Sequence, residues 1–453
     1  MTASAPLGTA ELDAAIAAGE IDTVIVAFGD AQGRLSGKRV SARLFQEEVL
    51  PHGAEACDYL LSVDVDMNTV DGYAMSSWAK GYGDMVLRPD LSTLRRVPWI
   101  PGSALVMADL QWEDGEPVVP APRSILNRQR ERLAERGLVA YSGTELEFIV
   151  FDDSYRDAWR KGYRDLTPST DYNVDYNLLA TTRLEPLLRD IRLGMEGAGL
   201  YCEGVKGECN LGQQEIAFRY DEVLATADQH TIYKNGAKEI AEQHGKALTF
   251  MAKFNEREGN SCHIHLSVRS EDGDTVMAGD GEHGFSPLMG HWIAGVLATL
   301  REFTLLYAPT INSYKRYAKG SFAPTGVAWG VDNRTCALRV VGHGAGLRVE
   351  NRVPGGDVNP YLGISAIIAG GLYGIENELP LPEPLTGNAY DAGVDTLPTT
   401  LREAAELFAQ SAIARAAFGD DVVEHYLNQA RIEVEAYDAA VTDWERVRGF
   451  ERL

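Results

Sequence analysis

Ser142-Gly143-Thr144-Glu145-Leu146-Glu147-Phe148-Ile149-Val150-Phe151 is an apolar run with two acids set inside it. Side chains of a strand alternate between its faces, so Glu145 and Glu147 point one way while Leu146, Phe148 and Val150 point the other. Two carboxylates held this close on a strand otherwise suited to burial take up a proton unless a cation lies between them. A divalent metal is the economical cation. For a lone E-x-E the simpler reading is an edge strand whose acids face water, so the rest of the chain has to decide.

The chain of 453 residues has room for two or three domains, and its 45% hydrophobic content suits a sizeable core. A formal net charge of -24 repels phosphate backbones and anionic lipid, which argues against nucleic-acid and membrane partners. The five cysteines, Cys57, Cys202, Cys209, Cys262 and Cys336, form no C-x-x-C pair and suit a reducing cytosol. The opening Met-Thr-Ala-Ser-Ala-Pro lacks the basic and apolar regions of an export signal, so a cytoplasmic location is expected. Tyr361 to Ile375 is apolar but too short to span a bilayer and carries four glycines; it reads as a buried helix.

Residues 21 to 28, the turn Gly29-Asp30-Ala31-Gln32-Gly33 and residues 34 to 40 read as a hairpin in a small mixed domain ending near residue 115. Turn signals at Glu113-Asp114-Gly115-Glu116-Pro117 and Pro120-Ala121-Pro122 separate it from a second domain over 116–453. There the patterns predict a strand over Val139–Phe151. Helices are predicted over Arg123–Arg136, Leu184–Gly197, Asp221–His244, Phe285–Tyr307, Thr399–Phe418 and Val422–Val441. A sheet covered by helices, an α+β arrangement, is the minimal inference.

Three further concentrations of chemistry follow. Glu208 and Glu215 flank a Gly-containing turn that leads into a strand, where they either converge on one point or remain surface acids. Cys262-His263-Ile264-His265-Leu266-Ser267 alternates, placing His263, His265 and Ser267 on one face; imidazole with carboxylate suits manganese or magnesium better than a structural zinc. Lys315, Arg316, Lys319, Arg334, Arg339, Arg348 and Arg352 face only Asp332 and Glu350 in their segment, and arginine's planar fork favours phosphate and carboxylate. Gly342-His343-Gly344-Ala345-Gly346 leads into a strand pattern, which rules out a dinucleotide turn. Acids for metal, a His pair and an arginine cluster together describe phosphoryl transfer from a metal-bound nucleotide to an acidic substrate.

These motifs, with Gly81-Tyr-Gly-Asp84, Ala227-Asp-Gln-His-Thr-Ile-Tyr-Lys234, Asn312-Ser-Tyr-Lys-Arg316 and Arg348-Val-Glu-Asn-Arg352, occur in the order of the glutamine synthetase family, which the chain resembles over nearly its whole length. The resemblance implies an N-terminal β-grasp domain, a catalytic domain with a curved antiparallel sheet covered by helices, and a homo-oligomer, a double-ring dodecamer with active sites between neighbouring subunits. It implies ATP and two or more divalent ions, Mg2+ or Mn2+, per site. Glu147, Glu208 and Glu215 would hold one ion and Glu145, His263 and Glu350 the other. Gly259, Arg316 and Arg352 would hold glutamate. Glu203, His265, Ser267, Arg339 and Arg348 would meet the nucleotide or its phosphates, and Arg334 the transferring phosphoryl group.

Two departures from the family pattern bear on the second substrate. Asp71-Gly72-Tyr73-Ala74 keeps an acid but lacks the serines of the ammonium-binding segment, and Phe322 stands where the flap of an ammonia-using member carries Glu. An aromatic ring cannot take a proton from ammonium, but it packs on alkyl carbon and offers its face to a cation. The expected substrate is therefore an organic primary amine, as in the γ-glutamyl-amine branch of the family. Ethanolamine leads, with putrescine or spermidine as the first alternative, ammonia as the next and a catalytically silent member of the family as the last. Asp71 is the candidate amine-binding acid and general base, reaching a neighbour's site, and Tyr73, Ala74 and Phe322 are the expected amine pocket.

Overall fold

The strands among the described residues, 7–453, form two sheets in the computed structural model. The six N-terminal residues, read above for an export signal, lie outside the described residues. The first sheet contains β1 (Thr23–Gly29), β2 (Leu35–Ser41), β3 (Ala54–Cys57), β4 (Asp84–Pro89), β5 (Arg95–Arg96) and β6 (Ser103–Gln111). β1 and β2 form the expected hairpin, and β1 pairs in parallel with β6, in keeping with a β-grasp. Alternation splits its side chains between two cores. Val24, Val26 and Phe28 with Ala104, Val106 and Ala108 fill a core of their own, while Ala27, Leu105 and Met107 join the core of the larger sheet.

The second sheet is built on β7 (Leu138–Phe151). It adds β8 (Cys202–Gly207), β9 (Gln213–Phe218), β10 (Asp221–Glu222), β11 (Ala247–Thr249), β12 (Cys262–Ser270), β13 (Trp329–Val331), β14 (Leu338–Val341) and β15 (Arg348–Asn351). Its main order is β13-β14-β15-β12-β7-β9-β8, and every pairing is antiparallel except β13 with β14. Leu146, Phe148 and Val150 of β7, Ile216 of β9 and Ile264, Leu266 and Val268 of β12 are buried on the face that the helices cover. The acids and imidazoles alternate onto the other face.

The helix Pro360–Glu376 is the buried segment foreseen, and its glycines have a packing reason. It lies against the helix Pro287–Thr299 so closely that a Cβ on Gly295 would come within 2.2 Å of the Gly370 carbonyl oxygen, and one on Gly371 within 2.3 Å of the Trp292 ring. No helix among the described residues is long and apolar enough to cross a membrane.

Several helix bounds differ from expectation. The helix expected from Leu184 begins at Leu178, because Asn177 Oδ1 accepts the Ala180 N–H at its start and Pro186 is accommodated inside it. The span from Phe285 divides into Pro287–Thr299 and Thr304–Tyr307. The span from Thr399 divides into Leu401–Gln410 and Ala412–Phe418, where Ser411 turns extended and caps the second piece through the Ala414 N–H. Short helices at Thr9–Ala17 and Asp443–Gly449 carry no signal read from the sequence.

Candidate active site

Strand register assembles the site. Glu145 on β7 lies opposite His263 on β12 and Ala217 on β9, and Glu147 lies opposite Glu215. One strand further out, His265 lies opposite Glu350 on β15, which in turn faces Arg339 on β14. Directly opposed residues share a face, so two acids on β7 become the centre of a band of charge across five strands.

The band contains two clusters. One ligand atom each from Glu147, Glu208 and Glu215 lies within 4.8 Å of the others, and the same holds for Glu145, His265 and Glu350. His263 belongs with the second cluster too: its Nδ1 is 3.2 Å from Glu145 and 3.4 Å from Glu350. The family resemblance implies His263 for the metal and His265 for the nucleotide; the structure places both imidazoles against Glu145. Arg348 Nε–H donates to His265 Nδ1 at 3.2 Å, which leaves the His265 proton on Nε2, directed at Glu145 Oε1 3.0 Å away.

The clusters are charged differently. Burial raises the Glu145 carboxyl, but the hydrogen bonds from His263 and His265 outweigh it and hold the group well below the ordinary carboxylate range. Glu350 is 0% exposed, yet His263, Arg352 and His265 overcome its desolvation and keep it ionised. It accepts from Arg339 Nη1 at 2.8 Å and forms a short ion pair with Arg352. Burial and Arg352 push His263 below its usual value, towards the neutral form. Glu215 goes the other way. Burial pushes its carboxyl up to about 8, with Glu145 and Glu147 adding repulsion that Lys206 only partly offsets. Oxygen and imidazole donors gathered on one buried face, with an acid forced towards protonation for lack of positive charge, fit a divalent ion.

Glu147 is held in place by its neighbours. The Ser261 backbone N–H donates to its Oε2 at 2.7 Å, the Ser261 hydroxyl forms a short bond to Oε1, and Gln213 Nε2 donates to Oε2 at 3.1 Å. The same Gln213 nitrogen lies 2.9 Å from the Gly259 carbonyl, joining the acid to the loop that carries Gly259. Gly259 has no room for a side chain: a Cβ there would stand 2.2 Å from the Ala252 carbonyl oxygen and 2.8 Å from Arg316 Cγ. Gln213 lies between Glu208 and Glu215 in sequence and Ser261 directly precedes the strand of His263 and His265, but nothing in their residue types marks them as the supports of Glu147.

Two cavities meet at Glu145. The first, about 310 Å³, is lined by Glu203, His265, Ser267 and Arg348 from the expected nucleotide set, together with Tyr141, Tyr220 and Phe218. The second, about 260 Å³, holds Gly259, Arg316, Arg352, Arg334, Phe322 and the acids. Arg339, expected with the nucleotide, lines the second cavity, because its guanidinium is tied to Glu350 and to Asp332. Arg316 is buried and spends Nη2 on the carbonyls of Arg352 at 3.2 Å and Pro354 at 3.0 Å and on a short bond to Val353. Its Nε, like that of Arg352, has no hydrogen-bond partner among the described residues. Arg334 is exposed and, among the described residues, makes no hydrogen bond or ion pair.

Phe322 is 57% exposed and adopts a left-handed φ of 58°, a conformation that costs a side-chain-bearing residue energy and must be imposed by its surroundings. Arg352 Nη2 donates to its carbonyl at 3.3 Å, and the Tyr390 hydroxyl donates to the carbonyl of Ala323 at 2.9 Å. The remaining expected amine residues lie elsewhere in the chain: neither cavity is lined by Asp71, Tyr73 or Ala74. Asp71 and Ala74 are exposed, whereas Tyr73 is 5% exposed and packs its ring on His425, 4.6 Å between centroids. Lys206, Asp175, Tyr176, Glu258 and Cys209 also line the second cavity without having been singled out from sequence.

A sheet with acids and imidazoles on one face, closed on one side by arginines, defines a catalytic domain of the glutamine synthetase type, and the catalytic-domain family of that name matches residues 120–448. The chain belongs to the glutamine synthetase family and is a ligase. It is 65% identical over 448 residues, 99% of this chain and 96% of the relative, to the γ-glutamylethanolamide synthetase GlnA4 of Streptomyces coelicolor. It is 38% identical over 434 residues, 94% of this chain and 95% of the relative, to a glutamate–isopropylamine ligase of Pseudomonas sp.. Among solved structures, a GmaS–ADP complex matches with a TM-score of 0.85 at 28% identity, over 97% of this chain and 99% of that one.

Proposed function

We propose that the protein joins the γ-carboxyl of glutamate to a primary amine, with ethanolamine as the substrate, by way of γ-glutamyl phosphate made from ATP. One observation carries the reading: the cavity lined by the expected nucleotide residues and the arginine-lined cavity share Glu145 as a wall, and the second is lined by Phe322 where an ammonia-using member would carry an acid. The 65% identity to a γ-glutamylethanolamide synthetase supports ethanolamine as the amine.

In this reading Glu147, Glu208 and Glu215 hold one Mg2+ or Mn2+, and Glu145 and Glu350 with the His263 imidazole hold a second; these ions supply charge neutralisation at the phosphates. Glu203, Ser267, His265 and Arg348 receive the nucleotide. Arg316, Arg352 and the Gly259 backbone hold glutamate with its γ-carboxylate towards Glu145. Arg339 faces the phosphates, and Arg334, which makes no hydrogen bond or ion pair among the described residues, is available to the charge that develops on the transferring phosphoryl group. The γ-carboxylate oxygen attacks the terminal phosphorus of ATP and ADP leaves. The neutral amine then attacks the acyl carbon, inorganic phosphate departs, and the amine's proton passes to a base.

Asp71 is assigned as that base, with Phe322 packing on the amine's alkyl carbons. Because Asp71 and Ala74 lie outside their own chain's cavities, they would serve a neighbouring copy in a homo-oligomer, a dodecamer by likeness to the family. Tyr73, turned inward on His425, holds that loop from below. A polyamine is the second reading, favoured by Asp175 and Glu258, two carboxylates on the second cavity that a further ammonium group would engage.

Phosphate release from ATP and glutamate with ammonia, ethanolamine, putrescine and spermine tests the proposal. Ethanolamine should give the highest kcat/KM. Higher values with putrescine or spermine would favour the polyamine reading, and ammonia matching ethanolamine would overturn the role given to Phe322.

A further inference from the structure

A third cavity, about 300 Å³, shares no lining residue with the two that have Glu145 in common. Its walls come from residues 63–65, the helix Val223–Gln243 and the helix Asp420–Ala439, with Val63, Phe250, Met251 and Ile432 supplying apolar surface. Charges of both signs line it without meeting. Lys234 and Lys238 stand one turn apart on the first helix, each with Nζ 5.7 Å from the centroid of the Phe250 ring, and neither forms an ion pair among the described residues. Asp64 and Glu433, on the other walls, form none either. Arg34, the remaining cation of the lining, is taken by Asp30 at 2.7 Å.

Like charges one turn apart on a helix destabilise it, and acids crowded on one wall repel in the same way. Both ends show the strain. Burial and Lys238 push Lys234 down to about 8, while burial, Asp64 and Asp66 push Glu433 up. Two acceptors of the lining also lack a donor: Asp357 Oδ1 and Gln429 Oε1 are buried with no hydrogen-bond partner among the described residues. A molecule carrying only negative charge would relieve the lysines and crowd the acids further, and a simple cation would do the reverse. A molecule with one charge of each sign on a carbon frame relieves both ends and covers the apolar surface between them.

The geometry points to a second small-molecule site in this cavity, one that takes an amino acid as a zwitterion, with its carboxylate on Lys234 and Lys238 and its ammonium on Asp64 and Glu433. The site stands outside both proposed substrate pockets but touches supports of each. Tyr73 of the Asp71 loop lines it. So does Asp357, whose Oδ2 accepts from the Thr310 hydroxyl at 2.8 Å and the Ser313 hydroxyl at 2.6 Å, at the start of the turn Ser313–Arg316 that carries Arg316.

The test is isothermal titration of the full-length protein with L-valine, γ-aminobutyrate and ε-aminocaproate, whose two charges stand progressively further apart, and with butyrate as the anion without an ammonium group. At least one of the three zwitterions should bind, at least tenfold more tightly than butyrate. Lys238→Gln and Glu433→Gln should each weaken that binding about tenfold or more, the scale of a lost hydrogen bond to a charged group. Lys234→Gln and Asp64→Asn carry the same expectation and replace them if either variant does not fold. Binding unchanged in the lysine and acid variants would place the amino acid elsewhere and overturns the proposal. Butyrate binding as tightly as the zwitterions would make the cavity a plain anion site and overturns it too, as does the failure of all three zwitterions to bind at millimolar concentration.

Discussion

Gln213→Met removes the link between the first acid cluster and the glutamate loop while nearly preserving side-chain volume. Gln213 is buried, and its Nε2 serves Glu147 Oε2 at 3.1 Å and the Gly259 carbonyl at 2.9 Å, while its Oε1 accepts the Asn210 N–H at 2.9 Å. A hydrogen bond to a charged group contributes about 1.5–3 kcal/mol. Each 1.4 kcal/mol is about a factor of ten in binding, and loss of a group that orients a metal ligand costs roughly 10–100-fold in metal affinity. Ser261 still holds Glu147 by two bonds, so the lower half of that range applies, about 10–30-fold. The Asn210 N–H, the Gly259 carbonyl and the buried Asn260 Oδ1, all left unpaired, each cost about 1–3 kcal/mol of stability. Mn2+ titration gives the first quantity, and denaturant unfolding of the metal-free protein gives the second. Metal affinity within twofold of wild type, in a variant measurably less stable, would refute the idea that Gln213 orients Glu147.

Further expectations concern the substrate pockets and pH. Phe322→Glu should raise ammonia-dependent kcat/KM and depress that with ethanolamine; unchanged ratios would show that the flap residue does not choose the amine. Arg316→Lys loses the planar guanidinium whose Nη2 donates to the Val353 and Pro354 carbonyls and should raise the glutamate KM about 10-fold or more, with smaller effect on the ATP KM; equal effects on both would place Arg316 outside the glutamate site. Burial pushes His425 down to about 4 from 6.5, and its Nε2 has no hydrogen-bond partner among the described residues. The unfolded chain therefore binds the extra proton first, so this residue's share of stability is complete above pH 6.5 and lost as pH falls towards 4, about 3 kcal/mol in all. His425→Gln should flatten the stability profile across that window, and an unchanged slope would remove His425 as its cause.

The site was legible in sequence to the extent that strand alternation governs it. Glu145 with Glu147, and His263 with His265, share a face because the period of a strand is two, and antiparallel register then carries Glu215, Glu350 and Arg339 onto the same face. What alternation does not supply is the reach of a long side chain. Arg339 bends to Glu350 and Asp332 and so lines the second cavity, and Lys206 enters the acid cluster from a strand whose neighbouring residues gave no metal-like pattern. The loop carrying Asp71, Tyr73 and Ala74 escaped for a different reason. Its position depends on Tyr73 packing on His425 and on Asn428 donating to the Asp71 carbonyl, contacts across some 350 residues of chain with no local signature. Helix interiors were readable from their apolar periodicity, whereas breaks such as Ser411 depended on one side chain choosing a cap over continuation.

The most direct test of the ligase mechanism uses glutamate labelled with 18O in its γ-carboxyl group, incubated with the full-length protein, ATP, Mg2+ and ethanolamine, with both products read by mass spectrometry. Passage through γ-glutamyl phosphate should deliver one labelled oxygen to inorganic phosphate and leave the other in γ-glutamylethanolamide. Unlabelled phosphate, or ATP hydrolysis without amide, would contradict it.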